Sequence, residues 1–165
     1  MAAPKVVVGR GSDEGKESGA NLNRATWRLL WWAGLLLLAA GLVDVGLALY
    51  PAAFAQPSWR FTAFASVANG LPLPAVGILT ATMAAAATRR PGLVRFAFGL
   101  NLIAVLGVAI LVVGFVSGIE AAFQAAAPEV YLGLQKAVFK TILFSVAFGL
   151  AFVVSAIVVA RSLRA

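Results

Sequence analysis

The stretch LVRFAFGLNLIAVLGVAILVVGFVSG, from Leu93 to Gly118, carries only three polar side chains, Arg95, Asn101 and Ser117. It is longer than the ~20 residues an α-helix needs to cross a hydrocarbon core. Three further stretches read the same way, at about 27–50, 66–87 and 137–160, and the charged residues fall almost entirely between and beyond them. Lipid offers no partner to backbone N–H and C=O groups, so each stretch has to be helical. The pattern predicts an all-α integral membrane four-helix bundle with a flexible cytoplasmic tail over residues 1–24 and a membrane domain over 25–165.

Composition agrees with this placement. The chain has 165 residues, 62% of them hydrophobic and 12% charged, with a mean hydropathy of +0.96. Soluble domains average roughly a quarter charged residues, and a fold of this size has too little interior to hide so much apolar surface from water. Cysteine and histidine are both absent, which removes disulfides, thiol nucleophiles, iron–sulfur clusters and the usual haem and zinc ligands. No cofactor and no metal site are expected. The net charge of +7 comes from residues scattered over loops and tails, and no basic stripe interleaved with aromatics marks a nucleic-acid surface.

The first span is flanked by Arg24 and Arg28, has Trp27, Trp31 and Trp32 where an aromatic belt anchors a helix, and ends at Tyr50-Pro51. The tail before it lacks the apolar core of a cleavable signal peptide, so the first span is expected to direct insertion. Within that tail, the string from Gly9 to Lys16 superficially resembles a phosphate-binding loop. Arg10 stands where the pattern needs glycine and Glu17 where it needs Ser or Thr, so that reading is set aside.

Pro72 and Pro74 fall near the start of the second apolar stretch. Each removes a backbone donor and crowds the preceding turn, so a straight helix through both is not expected. Ser58–Asn69 is read as an interfacial or kinked helical segment, and the regular span starts near Pro72, where a first-turn proline loses only a donor that would be unpaired anyway. Thr88 to Gly92 is a short basic turn. Between the third and fourth spans, Glu120, Gln124, Pro128, Glu129 and Lys136 predict a short surface helix outside the hydrocarbon. The N-terminal tail, the basic turn and the C-terminus hold Lys5, Arg10, Lys16, Arg24, Arg28, Arg89, Arg90, Arg95, Arg161 and Arg164, against Arg60, Lys136 and Lys140 on the other side. By the positive-inside rule both termini face the cytoplasm, across the cell's inner membrane.

Few residues are candidates for chemistry. Asp44 is the one acid inside a span, where a charge at the bilayer centre costs about 2.5–3.5 kcal/mol on insertion scales. It lies roughly 9 Å below the outer interface by helical rise, with Lys140 and Arg60 as available partners. Its functional reading is a proton or cation relay; its structural reading is an ion pair or neutral acid that fixes helix packing, and the lack of further titratable groups along a path favours the second. Asn69 and Asn101 are read as amides that hydrogen-bond across helices. Gly107, Gly114 and Gly118 on the third span, with Ser145, Ala147, Gly149 and Ala151 on the last, give small residues at spacings that permit close helix approach, in a compact bundle or in an oligomer alike. Glu120 and Glu129 are a conceivable acid–base pair for a membrane enzyme, but a proline separates them and solvated acids are the simpler reading. Trp59, Tyr50 and Tyr131 near the outer face fit interfacial anchors, although aromatics there can also stack on sugars.

The segments Tyr50-Pro51, Pro57-Ser58-Trp59-Arg60-Phe61 and Gly70-Leu71-Pro72-Leu73-Pro74-Ala75-Val76-Gly77 resemble a pattern in the hormogonium polysaccharide biosynthesis membrane proteins of cyanobacteria. There, a first span leads into a Pro-x-Trp-Arg outer segment and a proline-containing second span. The resemblance covers these segments and the four-span layout. It implies a role in assembly or export of an envelope polysaccharide without a catalytic activity, with Trp59, Arg60, Pro72, Pro74 and Gly77 as the corresponding, structural positions. The chain departs from the pattern in its short outer segment between the third and fourth spans, where a longer glutamine-rich region would be expected to contact a partner.

The expectation is therefore a non-enzymatic accessory or scaffold protein whose partners are the lipid bilayer and other membrane proteins or further copies of itself. The alternatives are a small transporter or channel component using Asp44, and a membrane enzyme using outer-face acids.

Overall fold

The computed structural model describes residues 11–53 and 55–162, and all regular structure among them is helical. The helices are α1 (Gly11–Ala48), α2 (Pro57–Gly70), α3 (Pro72–Thr88), α4 (Pro91–Ala125) and α5 (Tyr131–Ser162), with a single 3₁₀ turn at Pro128–Val130. Three stretches, Ala25–Ala48, Pro91–Ala125 and Pro128–Arg161, are long and apolar enough to cross a membrane, and α2 with α3 makes a fourth when the bent pair is taken as one span. Their flanks are covered with exposed large apolar side chains, among them Leu29, Leu36, Ile103, Val113 and Phe139. A water-soluble surface rarely tolerates such a continuous apolar girdle.

The prolines account for the break in the second span. Pro72 opens α3 and Pro74 stands in its first turn; neither has an N–H to give, so the carbonyls of Ala68 and Gly70 lose their regular helical donors. The chain responds with a tighter bond from Leu71 N–H to Ala68 O (3.4 Å), resumes regular spacing with Ala75 N–H to Leu71 O (3.0 Å), and bends by 43°.

This bent span is the middle of the molecule. α1 lies antiparallel along α3, α2 crosses onto α4, and α4 and α5 form a long antiparallel hairpin. The α1–α3 seam is the tightest. A Cβ built on Gly34 would lie 2.7 Å from Gly77 O and 2.8 Å from Ala81 N, and one on Gly77 would lie 2.6 Å from Leu38 N. Only glycine fits there, because the neighbouring atoms are backbone. Pro74 fills the matching place against Gly41.

Three apolar clusters follow down the bundle. Ala75, Ile78, Val108 and Phe152 join α3, α4 and α5; Val67, Ala68 and Leu111 join α2 to α4; Phe61, Phe115 and Ala122 close the end nearest the α4–α5 turn, with the Phe61 and Phe115 rings stacked at 5.0 Å.

Several sequence expectations need correction. α1 starts at Gly11, so part of the segment read as a flexible tail is helical; residues 1–10 lie outside the described residues. A helix already nucleated by its apolar span extends outward at little cost. Nor does a separate surface helix stand between the third and fourth spans: α4 runs through Glu120 and Gln124 to Ala125, and α5 takes in Lys136. Alanines at 121, 122 and 125 favour continuation of α4, which ends where Pro128 holds Ala127 in extended backbone (φ −73°, ψ 148°). Of the small residues on the third and fourth spans, Gly118 and Ser145 are buried, while the glycines at 107, 114 and 149 do not set backbone against backbone. Gly107 has nothing within 4 Å, Gly149 meets Val108 at ordinary contact, and the space at Gly114 is filled by the Phe64 ring.

Candidate functional site

On α1, Asp44 sits one turn before the helix ends, and α3 and α2 meet beside it. Its carboxylate lies so close to the break that a Cβ on Gly70 would come within 2.6 Å of Oδ2. Glycine at 70 therefore leaves room for the acid, whose side chain remains exposed on the flank of the bundle. From Arg28 to Asp44 α1 rises about 24 Å, against a hydrocarbon thickness of about 30 Å. That puts the carboxylate inside the apolar belt, on its surface.

The two cations considered as partners are elsewhere. Among the described residues no Cα pair of α1 and α5 lies within 8 Å, and Lys140 on α5 holds its ammonium 5.5 Å from the Phe144 ring centroid, a cation–π arrangement. Arg60 stands on α2, ten residues and about 15 Å of helical rise from Gly70. There it lines a groove with Phe64, Val113, Gly114 and Ser117.

The two asparagines separate. Asn101 is fully buried, and its Nδ2 donates to Thr82 Oγ1 on α3 and to Ala97 O, both at 2.8 Å. Thr82 in turn donates to Ile78 O at 2.7 Å, so one short chain of hydrogen bonds ties α4 to α3 in the interior of the bundle. Asn101 Oδ1 and Ser145 Oγ are buried without a hydrogen-bond partner among the described residues. Asn69, by contrast, is exposed on the last turn of α2 and makes no such cross-helix tie in the described structure.

Of the motif-like residues, Pro74 and Gly77 are buried in the α1–α3 seam and Pro72 opens α3. Trp59 packs edge-on against Phe64 at 6.4 Å, beside Arg60. Glu120 accepts a hydrogen bond from Gln124 (3.0 Å) one turn along α4, while Glu129 stands exposed on the 3₁₀ turn. They are on different elements.

The chemistry this arrangement offers is that of one carboxylate on a lateral surface. α3 carries no ionisable residue, and α4 none between Arg95 and Glu120, so no ladder of titratable groups leads from Asp44 to the basic end of the bundle. Sequence reasoning missed the α1–α3 seam; the signal was present in Gly34 and Gly41, two turns apart, and in Gly77 with Ala81, one turn apart. Comparison of the chain with known protein families, with curated proteins and with solved structures finds no match.

Proposed function

We propose that this chain is a four-span protein of the inner membrane, with both termini cytoplasmic, that acts as a non-enzymatic accessory or scaffold subunit and uses the Asp44 flank to engage a membrane partner. The observation that carries the reading is the exposed carboxylate inside the apolar belt. Facing lipid, such a group costs a few kcal/mol, and a partner helix that brings a hydrogen-bond donor or a cation removes that cost. The missing ladder of titratable groups speaks for a contact over a proton path. The Pro-x-Trp-Arg and Pro-x-Pro segments support assigning the partner to a machinery that assembles or exports an envelope polysaccharide.

A mild-detergent pull-down of the full chain with Asp44→Asn tests this. The scaffold reading expects partner recovery to fall while the protein still folds and inserts; unchanged recovery together with loss of an ion or proton flux in reconstituted vesicles would replace it with the transporter reading. A reporter fused after Arg164 is expected on the cytoplasmic side, and a periplasmic signal would overturn the orientation.

A further inference from the structure

Arg28, Arg89, Arg90, Arg95 and Arg161 gather at one end of the bundle. Gly34 meets Ala81 across the α1–α3 seam, so the antiparallel pair brings Arg28 level with the last turn of α3, where Arg89 and Arg90 lead into α4. A Cβ on Gly149 would lie 3.5 Å from Val108 Cγ1. Twelve residues further along α5 stands Arg161, and twelve residues back along α4 stands Phe96, next to Arg95. All five arginines are exposed, and none of their guanidinium groups has a hydrogen bond, ion pair or ring contact among the described residues. Glu17, the nearest acid along α1, comes 11 residues and about 16 Å of rise before Arg28. Asp44, Glu120 and Glu129 belong to the other half of the bundle.

Beneath these cations lies an aromatic bridge. Trp31 follows Arg28 by one turn on the same side of α1 and meets Phe96 of α4 edge-on at 5.7 Å. The rings span a gap between backbones, since no Cα pair of α1 and α4 lies within 8 Å among the described residues. Phe96 is exposed, and Gly92 and Gly99, about one turn to either side of it on α4, have nothing within 4 Å. The bridge is therefore open to whatever borders the bundle. Guanidinium groups over an aromatic pair over an apolar flank match, layer for layer, a phosphate over a glycerol backbone over acyl chains.

We infer that the α1–α4 edge at this end binds an anionic phospholipid, with Arg28, Arg89 and Arg90 on its headgroup and the Trp31–Phe96 pair against its upper acyl chains. Charge fixes the occupant: unengaged cations with no acid beside them leave an excess that a zwitterionic lipid does not balance and an anionic headgroup does. Residue type points the same way. The basic side chains described at this end are all arginines, whose planar donors take a phosphate two at a time, whereas the opposite end carries Lys136 and Lys140 besides Arg60. The inference rests on the membrane-spanning reading given above.

Trp31 serves as the reporter. The full-length chain, with Trp27, Trp32 and Trp59 replaced by phenylalanine, is reconstituted into phosphatidylcholine vesicles in which increasing fractions of lipid carry bromine high on the acyl chain, as phosphatidylglycerol or as phosphatidylcholine. At about 1 kcal/mol per basic side chain near a membrane surface, brominated phosphatidylglycerol is expected to be favoured roughly five-fold for each arginine it meets, read as steeper quenching. Arg28→Gln should lower that preference by about the same factor, and adding Arg89→Gln with Arg90→Gln should lower it further. Arg161→Gln, on a helix that does not adjoin α1, should leave it in place. Equal quenching by the two lipids in the parent chain overturns the site, as does a loss shared equally by Arg161→Gln, which marks a diffuse surface charge. Relief of the quenching by excess inorganic phosphate at constant ionic strength overturns the lipid in favour of a free anion. Quenching by neither lipid removes the membrane-spanning reading itself, and the site with it.

Discussion

Replacing Gly77 by alanine probes a close backbone-to-backbone approach of α1 and α3. The new methyl would lie 2.6 Å from Leu38 N and 2.7 Å from Gly34 O, and both are backbone atoms that cannot rotate away. α1 and α3 must part by close to an ångström, and a gap of 0.5–1 Å already forfeits a quarter to a half of each dispersion contact along the seam. In a bilayer these contacts, with a few hydrogen bonds, are what hold helices together, since lipid is as apolar as the partner. Overpacking of this kind costs about 1–3 kcal/mol; the helix gains back about 0.5–1 kcal/mol from losing a glycine. A net loss of about 1–2 kcal/mol is expected. Gly107→Ala, in open space, should be neutral or stabilising by up to about 1 kcal/mol. The measurement is unfolding by sodium dodecyl sulfate in mixed micelles, with the fluorescence of Trp31, packed edge-on against Phe96 at 5.7 Å, reporting release of α1. Gly34→Ala should behave like Gly77→Ala, and the double variant should cost less than their sum, because helices parted for one methyl have already made room for the other. Equal midpoints for Gly77→Ala and Gly107→Ala would refute the seam.

Two further substitutions test the interior. Thr82→Val removes the acceptor that Asn101 uses on α3 and should cost about 0.6–2 kcal/mol, the range for hydrogen bonds between spans, measured by the same unfolding titration. Gly114→Ala is expected to destabilise because its methyl would strike the Phe64 ring, whereas in a Phe64→Ala background the same change should be close to neutral, a non-additivity that a double-mutant cycle reads directly.

How much of this was legible beforehand depends on which physical signal was carried in one segment. The apolar runs and the two prolines are local, so the spans and the division of the second span between residues 70 and 72 could be read residue by residue. The role of Asn101 was legible as well, since a buried amide has few options in lipid. Which helix faces which was not. Gly107 and Gly149 looked as suitable for a seam as Gly34 and Gly77, and only the folded chain shows backbone atoms against the second pair. The partners of Asp44 were misjudged for a related reason: charge suggests attraction, but Lys140 is carried on a helix that does not adjoin α1. The length of α4 was underestimated because polarity was taken as the end of the helix, when in fact Pro128 sets it.

That length has an energetic consequence. α4 has 35 residues and rises about 52 Å, well beyond a hydrocarbon core of about 30 Å. Counted from Arg95, the surplus lies at the end nearest the α4–α5 turn, where Phe61 and Ala122 pack with Leu134 and Val138. Phe152, packed with Ala75, Ile78 and Val108, belongs to the middle of the belt. The two buried phenylalanines should therefore respond differently to truncation. In the proposed membrane-spanning arrangement, Phe152→Ala loses packing and leaves a cavity, but its reference state is lipid, so no transfer from water is forfeited. Phe61→Ala loses the packing and also the burial of its ring from an aqueous interface, which contributes about 1.5–3 kcal/mol more. Steric trapping in phosphatidylcholine nanodiscs can compare the two. A greater loss for Phe61→Ala, by roughly that margin, is expected; an equal loss, or a greater one at Phe152, would mean that the outer cluster is also bathed in lipid and that the bundle is tilted, not protruding.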